Sequence, residues 1–204
     1  MRLAMVLMSV IALGTACQSG GHRDRSAAEW ERILEDPKRL SWQQPGQVIA
    51  AMRLRPDEVV ADVGAGSGYF TRRFALVVKS VYAVDVDPAL LAIIARSKSP
   101  NVVPVLAARD DPRLPLDAID TIFICDVLHH IENRPAYYVK LQQGLRSNGR
   151  VVVVDFHKRP LPVGPPIAMK LSESEVINEF TSAGFRLSQR YDELPYQYML
   201  EFKR

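Results

Sequence analysis

Three glycines at alternate positions, Gly64, Gly66 and Gly68, close the run Val59-Val-Ala-Asp62-Val-Gly64-Ala65-Gly66-Ser67-Gly68-Tyr69-Phe70. Residues without side chains let a backbone turn sharply against a ligand, and a helix that follows presents free N–H groups to it. The dinucleotide fingerprint Gly-x-Gly-x-x-Gly would need a third glycine where Tyr69 stands. Asp62 lies two residues before the first glycine, where its charge would repel a pyrophosphate and attract an ammonium group. The loop therefore suits a cationic amino-acid ligand better than a phosphate.

A second acid, Asp85, ends the run Val81-Tyr-Ala-Val-Asp85, about 20 residues after the glycine turn, where a carboxylate can accept hydrogen bonds from both hydroxyls of a ribose. Asp87, just before Pro88, suits a helix cap. In Ala107-Ala-Arg-Asp110-Asp111-Pro112, a carboxylate could accept an adenine amino proton, or both acids could serve the turn before the proline. Further on, Asp126, His129 and His130 follow the apolar run Ile122-Phe-Ile-Cys125. Either histidine could act as a general base, or could pack at the start of the next helix. Asp126 would orient backbone or an amino-acid ligand. Cys125 reads as a buried strand residue, because an apolar setting raises a thiol pKa and makes it a poor nucleophile.

These groups must be carried by alternating strands and helices, the signature of βαβ units and a mostly parallel sheet. Strands are expected at Val59 to Val63, Val81 to Val84, Val102 to Leu106, Thr121 to Cys125, and Val151 to Asp155 after a turn Ser147-Asn148-Gly149. Helices are expected at Tyr69 to Val78, Pro88 to Arg96 and Pro135 to Leu145, and a capping box, Ser172 with Glu175, opens one that Gly184 closes. The runs Arg186 to Tyr191 and Gln197 to Phe202 flank a turn around Pro195 so short that they must be antiparallel. Upstream, Ala27 to Leu34 and Gln47 to Leu54 look helical, broken by Pro37 and Pro45, and would cover one end of the sheet.

Taken together, these segments resemble the class I S-adenosylmethionine-dependent methyltransferases from about Gln44 to the C-terminus. The resemblance rests on Asp62-Val-Gly64-Ala-Gly66-Ser-Gly68, on Asp85, on Asp110, and on Ile119-Asp-Thr-Ile-Phe-Ile-Cys-Asp126-Val-Leu-His129-His130. It implies a Rossmann-like α/β fold: a seven-stranded, mostly parallel sheet with a C-terminal antiparallel hairpin and helices on both faces. It implies S-adenosyl-L-methionine as cofactor, with contacts at Asp62, Gly64, Ala65, Gly66, Gly68, Asp85, Val86, Asp110 and Asp126, and His129 or His130 as catalytic base. In-line displacement at a sulfonium requires alignment and no metal. Competing readings are a binding protein that keeps the fold without turnover and a nicotinamide oxidoreductase, which the glycine spacing disfavours.

The 204 residues are 48% hydrophobic and 24% charged, enough for one domain with its own core. Lys and Arg number 26 against 23 Asp and Glu and are scattered, which argues against a dedicated nucleic-acid surface; with the resemblance, the expected acceptor is a small molecule. Acceptor choice would fall to the N-terminal helices, the loop His157 to Pro166 with its basic side chains, and the terminal hairpin with Tyr191, Tyr196 and Tyr198. Two cysteines exclude a disulfide scaffold. Met1-Arg2 and the apolar run Leu3 to Leu13 have the proportions of a secretory signal, too short to span a bilayer. Gly14-Thr-Ala16-Cys17 resembles a lipoprotein processing site, which implies lipid attachment at Cys17 and an exported, envelope location. An ordinary signal cleaved near Ala16, or a helix on a cytoplasmic protein, are the alternatives. The chain thus divides into a signal at 1–16, a polar tether at 17–26 and a domain at 27–204.

Overall fold

A computed structural model describes residues 25–204. The expected signal, Cys17 and nearly all of the tether lie outside the described residues.

Seven strands form one sheet: β1 (Val59–Val63), β2 (Ser80–Asp85), β3 (Val102–Leu106), β4 (Ile119–Cys125), β5 (Leu145–Phe156), β6 (Arg186–Tyr191) and β7 (Gln197–Lys203). Their order is β3-β2-β1-β4-β5-β7-β6. The first five run parallel, and β7 is antiparallel to both of its neighbours. The helices are α1 (Ala27–Leu34), α2 (Arg39–Gln43), α3 (Pro45–Met52), α4 (Thr71–Phe74), α5 (Pro88–Arg96), α6 (Arg134–Gly144) and α7 (Glu173–Ser182).

All five residues of β1 are buried, as expected of a strand covered on both faces. Alternation sorts its side chains. Ala61 and Val63 join Ile122, Ile124, Val151 and Val153 under Tyr138 and Leu141 of α6 and Phe180 of α7. Val60 joins Phe123, Val152 and Val154 against Phe74 of α4 and Val48 and Met52 of α3. Helices therefore cover both faces. Asp62 shares the Val60 face, where α4 begins.

Several boundaries depart from the sequence reading for identifiable reasons. Pro45 starts α3 instead of breaking a helix, because its missing N–H costs nothing at a first helical position, with Gln44 before it at φ 46°. Regular α-helix ends at Phe74, not Val78: the N–H groups of Leu76 and Val77 return to carbonyls three residues back as the chain turns toward β2. β5 begins at Leu145, opposite Ile119, and resumes pairing with Arg150 opposite Thr121, so the Ser147-Asn148-Gly149 turn is a bulge within a strand rather than its boundary. The capping box of Ser172 and Glu175 is formed, and Gly184 follows α7 at φ +86°.

Candidate active site

The carboxyl ends of β2, β1 and β4 open into a cleft of about 690 Å³. Its floor is the glycine loop, where Gly64, Gly66 and Gly68 all have positive φ, 76°, 56° and 88°. Gly64 is also sterically required, since a Cβ there would lie 2.0 Å from Val127 Cγ2; one on Gly66 would meet Leu34 Cδ1 at 2.7 Å, which the leucine could yield. The N–H groups of Gly64 and Ala65 both donate to the Val84 carbonyl, which fixes the loop against β2.

Asp85 binds the loop from the other side. Its Oδ2 accepts from Gly66 N–H at 2.8 Å and its Oδ1 from Asp87 N–H at 2.9 Å. Burial raises its pKa although both backbone donors oppose the rise. Each oxygen keeps a second lone pair for a ligand. Asp87 caps α5 by accepting from Ala89 N–H, as its place before Pro88 suggested. Val86 is half exposed at the lip of the cleft.

Asp62 accepts from the Thr71 hydroxyl at 2.6 Å and so ties β1 to the start of α4. Burial pushes its carboxyl up to about 7, against the lowering effect of that hydrogen bond. At the end of β4, Asp126 holds a left-handed φ of 59° and accepts from Gln197 Nε2 at 2.6 Å. Burial, and then the charge of Asp155, push Asp126 to about 7 as well. Cys125 beside it accepts from Gln43 Nε2 at 3.3 Å, and burial drives its thiol pKa upward, in keeping with a structural role.

The two histidines separate. His130 lines the cleft. His129 does not: its side chain is 3% exposed, and its Nδ1 stands 3.0 Å from both oxygens of Asp155. Burial disfavours the imidazolium, but the Asp155 hydrogen bond and the charges of Asp155 and Asp126 outweigh it and raise the pKa. Of the two expected bases, His130 lines the cleft and His129 braces the end of β5 behind it, with the rings 4.2 Å apart.

Asp110 lies next to the cleft lining rather than in it. The segment after β3 reaches the cleft through Ala107, Ala108 and Arg109, while Asp110 sits exposed in the turn beyond them. Asp111 serves that turn, accepting from Arg113 N–H and pairing with Lys140 at 3.1 Å. The loop after β5 is likewise away from the cleft: Lys158 pairs with Glu175 at 3.0 Å, and Arg159 donates to the Pro195 carbonyl. In the hairpin, the Tyr198 hydroxyl donates to the Leu171 carbonyl and that of Tyr191 to the Ala51 carbonyl, so both pack rather than form a pocket wall.

The N-terminal helices do close over the cleft, through residues that sequence reasoning left out. Glu35, capping α1, accepts from the Ser67 hydroxyl and from Arg72 Nη2 at 2.6 Å, which latches α1 to the glycine loop. Gln43 of α2 donates to Gln197 Oε1 at 2.7 Å, and Arg39 to Gln43 Oε1 at 2.8 Å. The result is a buried polar chain, Arg39–Gln43–Gln197–Asp126, linking the cover to the ends of β4 and β7. The spacing of Arg39 and Gln43, four apart beside Trp42, was the one local sign of it.

Comparison with known proteins places this geometry. Residues 61–153 match the Methyltransferase domain family. The chain is 30% identical over 135 residues to a tRNA U34 carboxymethyltransferase of Shewanella sediminis, covering 63% of this chain and 36% of that protein. It is 42% identical over 48 residues to a probable ribosomal RNA small subunit methyltransferase A of Methanosarcina mazei, covering 24% and 18%. The chain thus spans about a third or less of the length of these curated relatives. Among solved structures, an S-adenosylmethionine-dependent methyltransferase from Aquifex aeolicus superposes with a TM-score of 0.81 at 22% identity, covering 88% of this chain and 98% of that one. A type 11 methyltransferase from Sulfolobus solfataricus, itself described as putative, superposes at 0.63 and 22%, covering 72% and 83%. Residues 61–153 thus match a methyltransferase domain, and the fold is the one these solved methyltransferases share.

Proposed function

We propose that the chain transfers a methyl group from S-adenosylmethionine to a small-molecule acceptor. The observation that carries this reading is Asp85: a carboxylate fixed by two backbone N–H groups, with lone pairs to spare, at the rim of a cleft floored by a loop of three positive-φ glycines. The residues fit the cofactor. Asp85 suits the ribose hydroxyls, Ala107 and Ala108 leave room for a flat base, and Asp62 and Asp126 supply negative charge where the sulfonium and ammonium groups would lie.

The cofactor supplies an electrophilic methyl group, which leaves the protein to align and to exclude water. The latch of Glu35 on Ser67 and Arg72 holds the cover down for that purpose. His130, at the cleft wall, is the base for an acceptor oxygen or nitrogen that must lose a proton. The closed cover favours a small acceptor, since α1 and α2 roof the cleft on the side opposite the sheet.

RNA is the second reading, favoured by the names of the curated relatives. Incubation with cofactor labelled in the methyl group, in parallel with a metabolite extract and with total RNA, separates the two. Label in the small-molecule fraction alone supports the proposal, and label in RNA alone overturns the choice of acceptor. Export and acylation at Cys17 complete the proposal. Membrane fractionation of cells making the wild type and Cys17→Ser tests it: a wild type in the soluble cytosolic fraction removes the envelope location.

A further inference from the structure

Resting on the membrane attachment proposed above, we propose that the loop 160–169 is a lipid-contacting surface, which seats the cleft-bearing edge of the sheet on an anionic bilayer. Pro160-Leu-Pro-Val-Gly-Pro-Pro-Ile-Ala-Met169 is the longest run without a polar side chain among the described residues. Apolar runs of this kind belong in a core. Yet none of these ten residues is buried, and Ile167 and Met169 are 45% and 40% exposed, so the run forms an apolar patch on the surface.

The loop is held in shape. The buried Lys170 closes its base, with Nζ donating to the Arg159 carbonyl at 2.9 Å. Gly164, at φ +90°, lies so close on the Phe156 ring that a Cβ would stand 2.8 Å from it, and Phe156 in turn meets Trp42 of α2, with the ring centroids 5.6 Å apart. One side of the loop is thus fixed through Phe156 toward the cover, and Ile167 and Met169 are left to solvent.

Composition favours lipid over protein as the occupant. A protein interface carries about one hydrogen bond per 100–200 Å², and this run has no side chain able to make one. Four of its ten residues are prolines without an N–H, and the Met169 N–H donates to the Pro166 carbonyl, so few backbone donors lose water on entering a lipid interface. Lys158 and Arg159 stand exposed at its root. Glu175 pairs with Lys158, whereas Arg159 forms no ion pair among the described residues and so suits a lipid phosphate.

Position agrees with composition. The loop leaves the carboxyl end of β5, and Arg25, the first described residue, lines the cleft at the carboxyl ends of the parallel strands beside it. Loop and chain entry therefore share one edge of the sheet. Cys17 lies eight residues before Arg25, at most about 27 Å of extended chain, so an anchor there brings this edge to the membrane before the opposite one.

The test uses the full chain with Cys17→Ser, so that its outcome does not depend on acylation, which fractionation tests separately. Met169→Cys in that chain carries an environment-sensitive fluorophore, and the same chain without Met169→Cys gives the background from Cys125. Leu116→Cys, 75% exposed before the amino end of β4, is the control position. On vesicles of phosphatidylcholine mixed with phosphatidylglycerol, the label at Met169 should shift to the blue and be quenched by a lipid-borne quencher about threefold or more above the control. On phosphatidylcholine alone that quenching should fall by about twofold or more. Should the labelled Met169→Cys chain fail to fold, Ile167→Cys takes its place. A label that stays in water, equal quenching at both positions, or equal quenching on both kinds of vesicle overturns the proposal. A blue shift that needs no lipid and grows with protein concentration overturns it as well, by assigning the loop to a second copy of the chain.

Discussion

Asp62 and Asp126 hold protons in the folded chain that they would lose in the unfolded one, because burial lifts both from about 4 to about 7. Between those values the native state binds more protons, so their contribution to stability falls as pH rises through that window. A cation in the cleft reverses the preference by favouring the ionised carboxyls. The affinity for S-adenosylmethionine, relative to S-adenosylhomocysteine, which lacks the sulfonium charge, should therefore rise by about threefold or more from pH 6 to pH 8. Asp62→Asn should flatten that dependence in calorimetric titrations; a ratio indifferent to pH in the wild type would contradict the account of these acids. His129 has the same sign, in a higher pH window. Its pKa is raised, so the stability it lends is full below about 6.5 and is lost as pH rises through the folded value. Urea unfolding should show His129→Gln destabilised by about 1–2 kcal/mol at pH 5.5, and by less at pH 8.5. The sequence placed both histidines equally, since adjacent residues after a strand differ only in which way the 3-10 turn Leu128–His130 points them.

Among the helices α1 to α7, α1 alone has no buried residue. Leu34 over Gly66 and the Glu35 latch keep it on the glycine loop, and the Glu35–Arg72 pair, a third exposed on each side, is worth at most about 1 kcal/mol. Glu35→Ala should accelerate amide exchange across Ala27–Leu34 by about fivefold or less while thermal unfolding moves by only a few degrees. A large fall in global stability would mean that α1 belongs to the core. The elements themselves were legible wherever periodicity and punctuation agreed: α5 behind Asp87-Pro88 and α7 behind its capping box lie where the sequence put them. What was illegible is the joining of the cover to the sheet. Gln43 and Gln197 are 154 positions apart, and no spacing rule relates two glutamines at that distance. The place of Asp110 was illegible for a nearer reason. A bridge between Ala108 and Asp111 closes the turn around it, and Asp110 is exposed there, which depends on backbone pairing rather than residue type.

At the scale of the whole molecule, the order β3-β2-β1-β4-β5-β7-β6 brings three strand ends and two N-terminal helices to one cleft. A parallel sheet places all its carboxyl ends along one edge, so a ligand laid across them meets an acid at β2, glycines after β1 and an acid after β4 without any of these being near in sequence. The antiparallel β7 contributes differently: running back beside β5, it delivers its first residue, Gln197, to Asp126. Buried β-branched runs made the strands readable, and the short turn at Pro195 made the hairpin so. The central claim is that Asp85 anchors a nucleoside cofactor in this cleft, and calorimetry with S-adenosylhomocysteine on wild type and Asp85→Ala tests it most directly. The account predicts one-site binding to wild type, weakened by about tenfold or more in Asp85→Ala. Absence of binding to wild type, or equal binding by the two proteins, would contradict it.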